Sequence, residues 1–141
     1  MSRFQRRQIL IAACVLLVAP FALAQPGGRT VRIGILDNGN EDAQAERWLA
    51  FRDQLQKSGY VEGKNLVIEA RYARGLSARL HAQAAELVAL TPDLIVTVST
   101  PAAQAAMKAT SSIPIVMTGT GDPVKTGLVA SLARPGGNVT G

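Results

Sequence analysis

From Val31 onward, short runs of branched apolar residues alternate with longer stretches of helical periodicity, and that alternation admits few folds. Val31-Arg32-Ile33-Gly34-Ile35-Leu36 reads as a first strand, broken by the turn-forming Asp37-Asn38-Gly39-Asn40. From Glu41 the pattern becomes helical, with Trp48, Phe51 and Leu55 three and four apart and acidic residues where the helix dipole favours them. Gly59 after Ser58 supplies a left-handed stop, and Tyr60 is placed to fold back on the last turn. Asn65 to Arg71 alternates, which predicts a second strand at a sheet edge with one side partly wet. Ser77 is placed to cap the next helix, whose stripe of Leu80, Ala84, Leu87 and Val88 runs up to Thr91-Pro92.

Leu94-Ile95-Val96-Thr97-Val98 is nearly continuously apolar, as a strand buried on both faces of a parallel sheet must be. Thr100-Pro101 reads as a cap followed by a first-turn proline, opening a helix through Met107. A fourth strand spans residues 113 to 117, with Pro114 tolerable near its start or on an edge. Asp122-Pro123 repeats the cap-proline device for a shorter helix through Leu132, and residues 134 to 138 form a turn. Short connections between such elements make right-handed crossovers, so the expected fold is α/β: a doubly wound parallel sheet, Rossmann-like or flavodoxin-like, in the order 2-1-3-4. Such sheets bind ligands outside the carboxyl ends of their strands, which selects the loops at 37 to 40, 99 to 102 and 118 to 122.

Residues 1 to 24 read as an export signal rather than as part of this fold. Arg3, Arg6 and Arg7 precede Ile9 to Leu23, an apolar run of about 15 residues that is short of a bilayer span. Ala22-Leu23-Ala24 is a small-x-small cleavage pattern, so cleavage after Ala24, a short linker at 25 to 30, a domain at 31 to 141 and a periplasmic location are expected. Arg6-Arg7 leaves the twin-arginine route open beside the general one. Cys14 follows too short an apolar core to be a lipidation site, and without it the exported chain has no cysteine for disulfide or thiol chemistry. The net charge of +5 falls to +2 once the three leader arginines are removed, and no basic patch remains to support a nucleic-acid partner.

Each loop offers a ligand role beside a plain structural one. Ser99 and Thr100, with Pro101 and Ala102, stand where free N–H groups at a helix start favour a carboxylate, while Thr100 can equally be a simple cap. Thr118-Gly119-Thr120-Gly121-Asp122 lacks the lysine and spacing of a phosphate loop. Asp122 can cap the last helix or accept from a ligand ammonium or hydroxyl, and Asp37 and Asn38 can be turn formers or ligand contacts. His81 lies inside a helix with no metal-like spacing, and Ser99 lacks the setting of a nucleophile elbow. No catalytic residue, metal or cofactor is expected.

Five segments, in order, carry a family likeness: Lys57 to Asn65, Thr100-Pro101-Ala102-Ala103, Ile113 to Met117, Gly121-Asp122-Pro123-Val124, and Gly127 to Gly141. Through them the chain resembles the bacterial ABC transporter substrate-binding proteins related to tryptophan- and phenylalanine-binding receptors. The resemblance implies a periplasmic receptor of two α/β lobes, of the type I periplasmic-binding-protein kind, closing on a small solute and delivering it to an ABC permease. It implies a cleft wall at Thr100, Pro101 and Ala102 and another at Asp122, with amino acids a suitable solute class. Family members continue past Gly-Asn-Val-Thr-Gly into a second lobe, so the chain is expected to be a truncated first lobe whose exposed cleft face favours self-association. The competing functions are a ligand-sensing lobe of a signalling protein and a secreted α/β enzyme.

Overall fold

The computed structural model describes residues 28–141; the leader expectation at 1 to 24 and the first half of the linker lie outside the described residues. The elements run β1 (Val31–Asp37), α1 (Glu41–Lys57), β2 (Leu66–Tyr72), α2 (Ala78–Ala89), β3 (Leu94–Val98), α3 (Thr100–Ala109), β4 (Ile115–Thr118) and β5 (Val139–Thr140). All five strands are parallel and lie in the order β2-β1-β3-β4-β5. The expected order 2-1-3-4 is therefore present, extended by one strand.

Side-chain alternation along the strands divides the core in two. On one face Ile33, Ile35, Val96 and Val98 pack beneath Trp48 of α1, whose ring meets Phe51 edge-on at 5.7 Å. On the other, Leu36, Ile95, Ile115 and Met117 pack beneath α2 and α3, through Leu80, Ala84 and Leu87 and the small side chains of Ala102, Ala103, Ala105 and Ala106. Four alanines on one short helix let it lie close to both the sheet and α2. Each fully buried Leu or Ile stabilises the fold by about 1.5–3 kcal/mol.

The helix ends explain why the strands begin and stop where they do. Tyr60 N donates to Leu55 O at 2.9 Å and Gly59 N to Gln56 O at 3.0 Å, with Gly59 at φ +90°, so α1 ends in the paired bonds of a Schellman motif. Asn40 caps its start, accepting from Asp42 N. Ser77, by contrast, sits in helical geometry and makes no capping bond with its side chain.

Between Asp122 and Thr140 one expectation fails and one strand appears that was not expected. No helix forms after Asp122-Pro123: Thr126 N reaches back to Asp122 O and Leu128 N to Pro123 O, and Gly127 at φ +73° then turns the chain out of helical geometry. The turn at 134 to 138 runs directly into β5, which pairs with β4 because Ile115 N donates to Asn138 O at 2.7 Å. Pro114 precedes β4 rather than lying within it, and its carbonyl accepts from Ile95 N. Among the described residues no helix is long and apolar enough to cross a membrane.

Candidate functional site

β1 and β3 are neighbours, yet α1 and α3 leave them for opposite faces, which opens a crevice at the carboxyl edge. Asp37, the last residue of β1, pairs in register with Val98, so the 37–40 and 99–102 loops leave the sheet side by side. The 118–122 loop joins them through two bonds: Ser99 N donates to Thr118 O at 3.1 Å, and Gly121 N donates to Thr100 Oγ1 at 3.3 Å. All three loops selected from the sequence thus meet at one edge.

The cap of α3 is Ser99, not Thr100. Its Oγ accepts from Ala102 N, and its backbone sits at φ +92°, ψ 155°, a region that side chains other than glycine rarely occupy. Ala103 N donates to Ser99 O, and Pro101 has no N–H, so the Thr100 amide is the donor of this first turn left to a ligand. The Ser99 and Thr100 hydroxyls both act as acceptors here and keep their protons free to donate outward. Ala102 turns its side chain into the core, and its amide is already taken by Ser99. Pro101 is exposed beside it.

Asp122 is occupied by its own loop. Its Oδ1 accepts from both Val124 N and Lys125 N at 3.1 Å, and Oδ2 lies 3.8 Å from Lys125 Nζ. It caps a turn, as one of its two sequence readings has it. Thr118 is exposed and donates from Oγ1 to Thr97 O. Asp37 is almost wholly buried, at 1% exposure; its Oδ1 accepts from Gly39 N at 2.7 Å, which is the turn-forming role, while its Oδ2 has no partner. Asn38 accepts at its carbonyl from Gly75 N, and its side-chain Oδ1 is buried and unpartnered.

A fourth loop, absent from the sequence reading, completes the edge. Arg74 N donates to Gly39 O and Gly75 N to Asn38 O, zipping residues 73 to 76 to the first loop, with Arg74 at φ +53° and Gly75 at φ +77°. The Arg-Gly pair after a strand was the available signal. Tyr72, at the end of β2 beside Asp37, has its hydroxyl pushed above the ordinary 10.0 by burial first, then by the Glu41 and Asp37 carboxylates, with Arg52 opposing. A raised value favours the neutral hydroxyl in the folded chain, so this contribution is fully present below pH 10.0 and is lost as pH rises through the folded value. Alkaline titration of the tyrosine absorbance should show one hydroxyl ionising above the free value, and Tyr72→Phe should remove that component.

Among the described residues no group of three or more His, Cys, Asp or Glu side chains gathers to hold a metal, and His81 is exposed on α2. A parallel sheet whose carboxyl edge gathers hydroxyls, a free amide and buried acceptors is the architecture of a periplasmic-binding-protein lobe. The chain belongs to the ABC transporter substrate binding protein family, which it matches over residues 32–141. That is a family of substrate-binding proteins rather than of enzymes. A tyrosine-binding protein of Clostridioides difficile is 45% identical over 91 residues, covering 64% of this chain and 26% of the relative. A conserved domain protein of Vibrio cholerae is 38% identical, with TM-score 0.75 over 80% of this chain and 38% of that one. An ABC domain of Streptococcus pneumoniae in complex with L-Trp is 32% identical, with TM-score 0.72 over 79% and 38%. The chain therefore spans between about a quarter and two fifths of the length of these relatives.

Proposed function

We propose that this chain supplies the first α/β lobe of an extracytoplasmic receptor for an ABC-type importer, and that its small solute is an amino acid. The observation that carries this reading is the Ser99–Thr100 end of α3: two hydroxyls and one free amide, held by a strained serine at the crevice. That donor set suits a carboxylate, whose charge the helix start also favours. The two relatives described by their amino acids, tyrosine and L-Trp, support an aromatic member of the class. The receptor carries out no reaction, works in the periplasm after leader cleavage, and hands its solute to a membrane permease. Residues 31 to 141 form one wall of the cleft, so closure over the solute needs a second lobe.

Nuclear magnetic resonance titration of the chain with L-phenylalanine, L-tyrosine and L-tryptophan tests the reading. Amides at 99, 100, 102 and 118 to 122 should shift, with weak affinity because one wall leaves the solute half wet. Ser99→Ala and Thr100→Ala should each weaken binding by about 3- to 10-fold, the worth of one hydrogen bond. Shifts scattered away from the carboxyl edge, or none, would overturn the assignment.

A further inference from the structure

Asp37 ends β1 at the carboxyl edge of the sheet, between Tyr72 and Val98 in the register. One carboxylate oxygen is satisfied by Gly39 N, but Oδ2 is shielded from solvent and has no donor. The adjacent Asn38 Oδ1 is in the same condition. Buried acceptors without donors are rare in native folds and point to a missing partner. The turn above them is built around the carboxylate: a Cβ on Gly39 would lie 3.0 Å from Asp37 Oδ1 and 3.1 Å from Gln44 Nε2. Asp122, in the third loop, differs in being half-exposed, with Oδ1 taken by Val124 N and Lys125 N and Oδ2 3.8 Å from Lys125 Nζ.

We propose that Asp37 and Asn38 form the amine-recognising half of the site, accepting from a protonated primary amine of the solute while the Ser99–Thr100 end holds its anionic group. The inference rests on the solute-binding reading. It selects zwitterions over plain carboxylates, because neighbouring parallel strands set the two halves only about 5 Å apart. The amine enters by lifting the 38–40 turn, which is tied to the next loop by the Arg74 N to Gly39 O and Gly75 N to Asn38 O bonds.

The experiment divides the zwitterion in two, titrating the ¹⁵N-labelled chain with phenethylamine, which has only the amine, and with 3-phenylpropionate, which has only the carboxylate. Phenethylamine should shift the amides of residues 37 to 39, 74 and 75, and 3-phenylpropionate those of 99, 100 and 102. Asp37→Asn should weaken phenethylamine about tenfold or more, the worth of a charge-assisted bond, and leave 3-phenylpropionate unchanged. Asn38→Ala should weaken phenethylamine about 3-fold or more, and serves if the buried Asp37 substitution unfolds the chain. A phenethylamine response unchanged in both variants overturns the amine site. So does a 3-phenylpropionate response at 99 to 102 with no phenethylamine response, which leaves solute binding standing. Silence at the carboxyl edge with both probes overturns the two together.

Discussion

Trp48→Ala is expected to destabilise the chain by about 3–5 kcal/mol, a large fraction of the roughly 5–15 kcal/mol that holds an ordinary domain folded. Trp48 is 4% exposed and is the one residue of α1 that is fully buried, so the whole face formed by Ile33, Ile35, Val96 and Val98 depends on its ring. The small residues that pull α3 close to its own face have no counterpart on α1. Trp48→Phe should behave differently, because the indole Nε1 is buried without a partner and its removal relieves a polar penalty while most of the apolar ring is kept. A loss below about 1.5 kcal/mol is expected for phenylalanine. Urea unfolding followed by circular dichroism separates the cases, since these variants lack the chain's only tryptophan as a fluorescent reporter. Equal losses for alanine and phenylalanine would show that the indole nitrogen has a partner and that the ring is not the anchor.

The same contrast, between what apolar patterning dictates and what polar groups decide locally, governs how much of this fold was legible in the sequence. β1, β2 and β3 appear within a residue of their expected bounds because β1 and β3 are short runs rich in branched apolar residues and β2 is marked by its alternation. Gly59 stops α1 as expected because a left-handed residue there needs no tertiary partner. β5 was hidden because two residues carry no periodicity. Its position depends on Asn138, whose Nδ2 donates to Thr110 O and to Ile113 O at 2.7 Å, and those contacts come from a loop 25 and 28 residues earlier. The segment after Asp122-Pro123 had a valid helix start signal and helical spacing in Val124, Leu128 and Leu132, but Gly127 at φ +73° turns the chain before a helix can form.

The site followed the same division. Topology alone selected the three loops, because a switch point between β1 and β3 is a property of strand order. Which residue within a loop caps was not legible. Ser99 and Thr100 are adjacent hydroxyls with equal capping chemistry, and Thr100 is instead engaged by Gly121, 21 residues away. Asp37 and Asp122 are both acids in turns; only the structure separates an acceptor whose second oxygen is buried without a donor from a half-exposed one whose Oδ1 is taken twice by its own loop.

Leu87→Ala on the opposite face is the second large effect, expected to cost about 2–5 kcal/mol. Leu87 is fully buried on α2, and its two methyls lie over Gly34 in β1, where an added Cβ would sit 3.5 and 3.7 Å from them and 3.4 Å from Ile95 Cγ1. Glycine in a strand costs conformational entropy, and a Cβ here would make ordinary van der Waals contact with Leu87 and Ile95. Gly34→Ala alone therefore adds a methyl in ordinary contact and gains backbone entropy, and a change within about 1 kcal/mol is expected. In the Leu87→Ala background the same methyl enters the emptied volume. The double variant should then be more stable than the sum of the singles by about 0.5–1 kcal/mol, a coupling that denaturant unfolding of the four chains resolves. Strict additivity would mean that α2 has settled onto the sheet to close the void, leaving no space at Gly34 for the new methyl to fill.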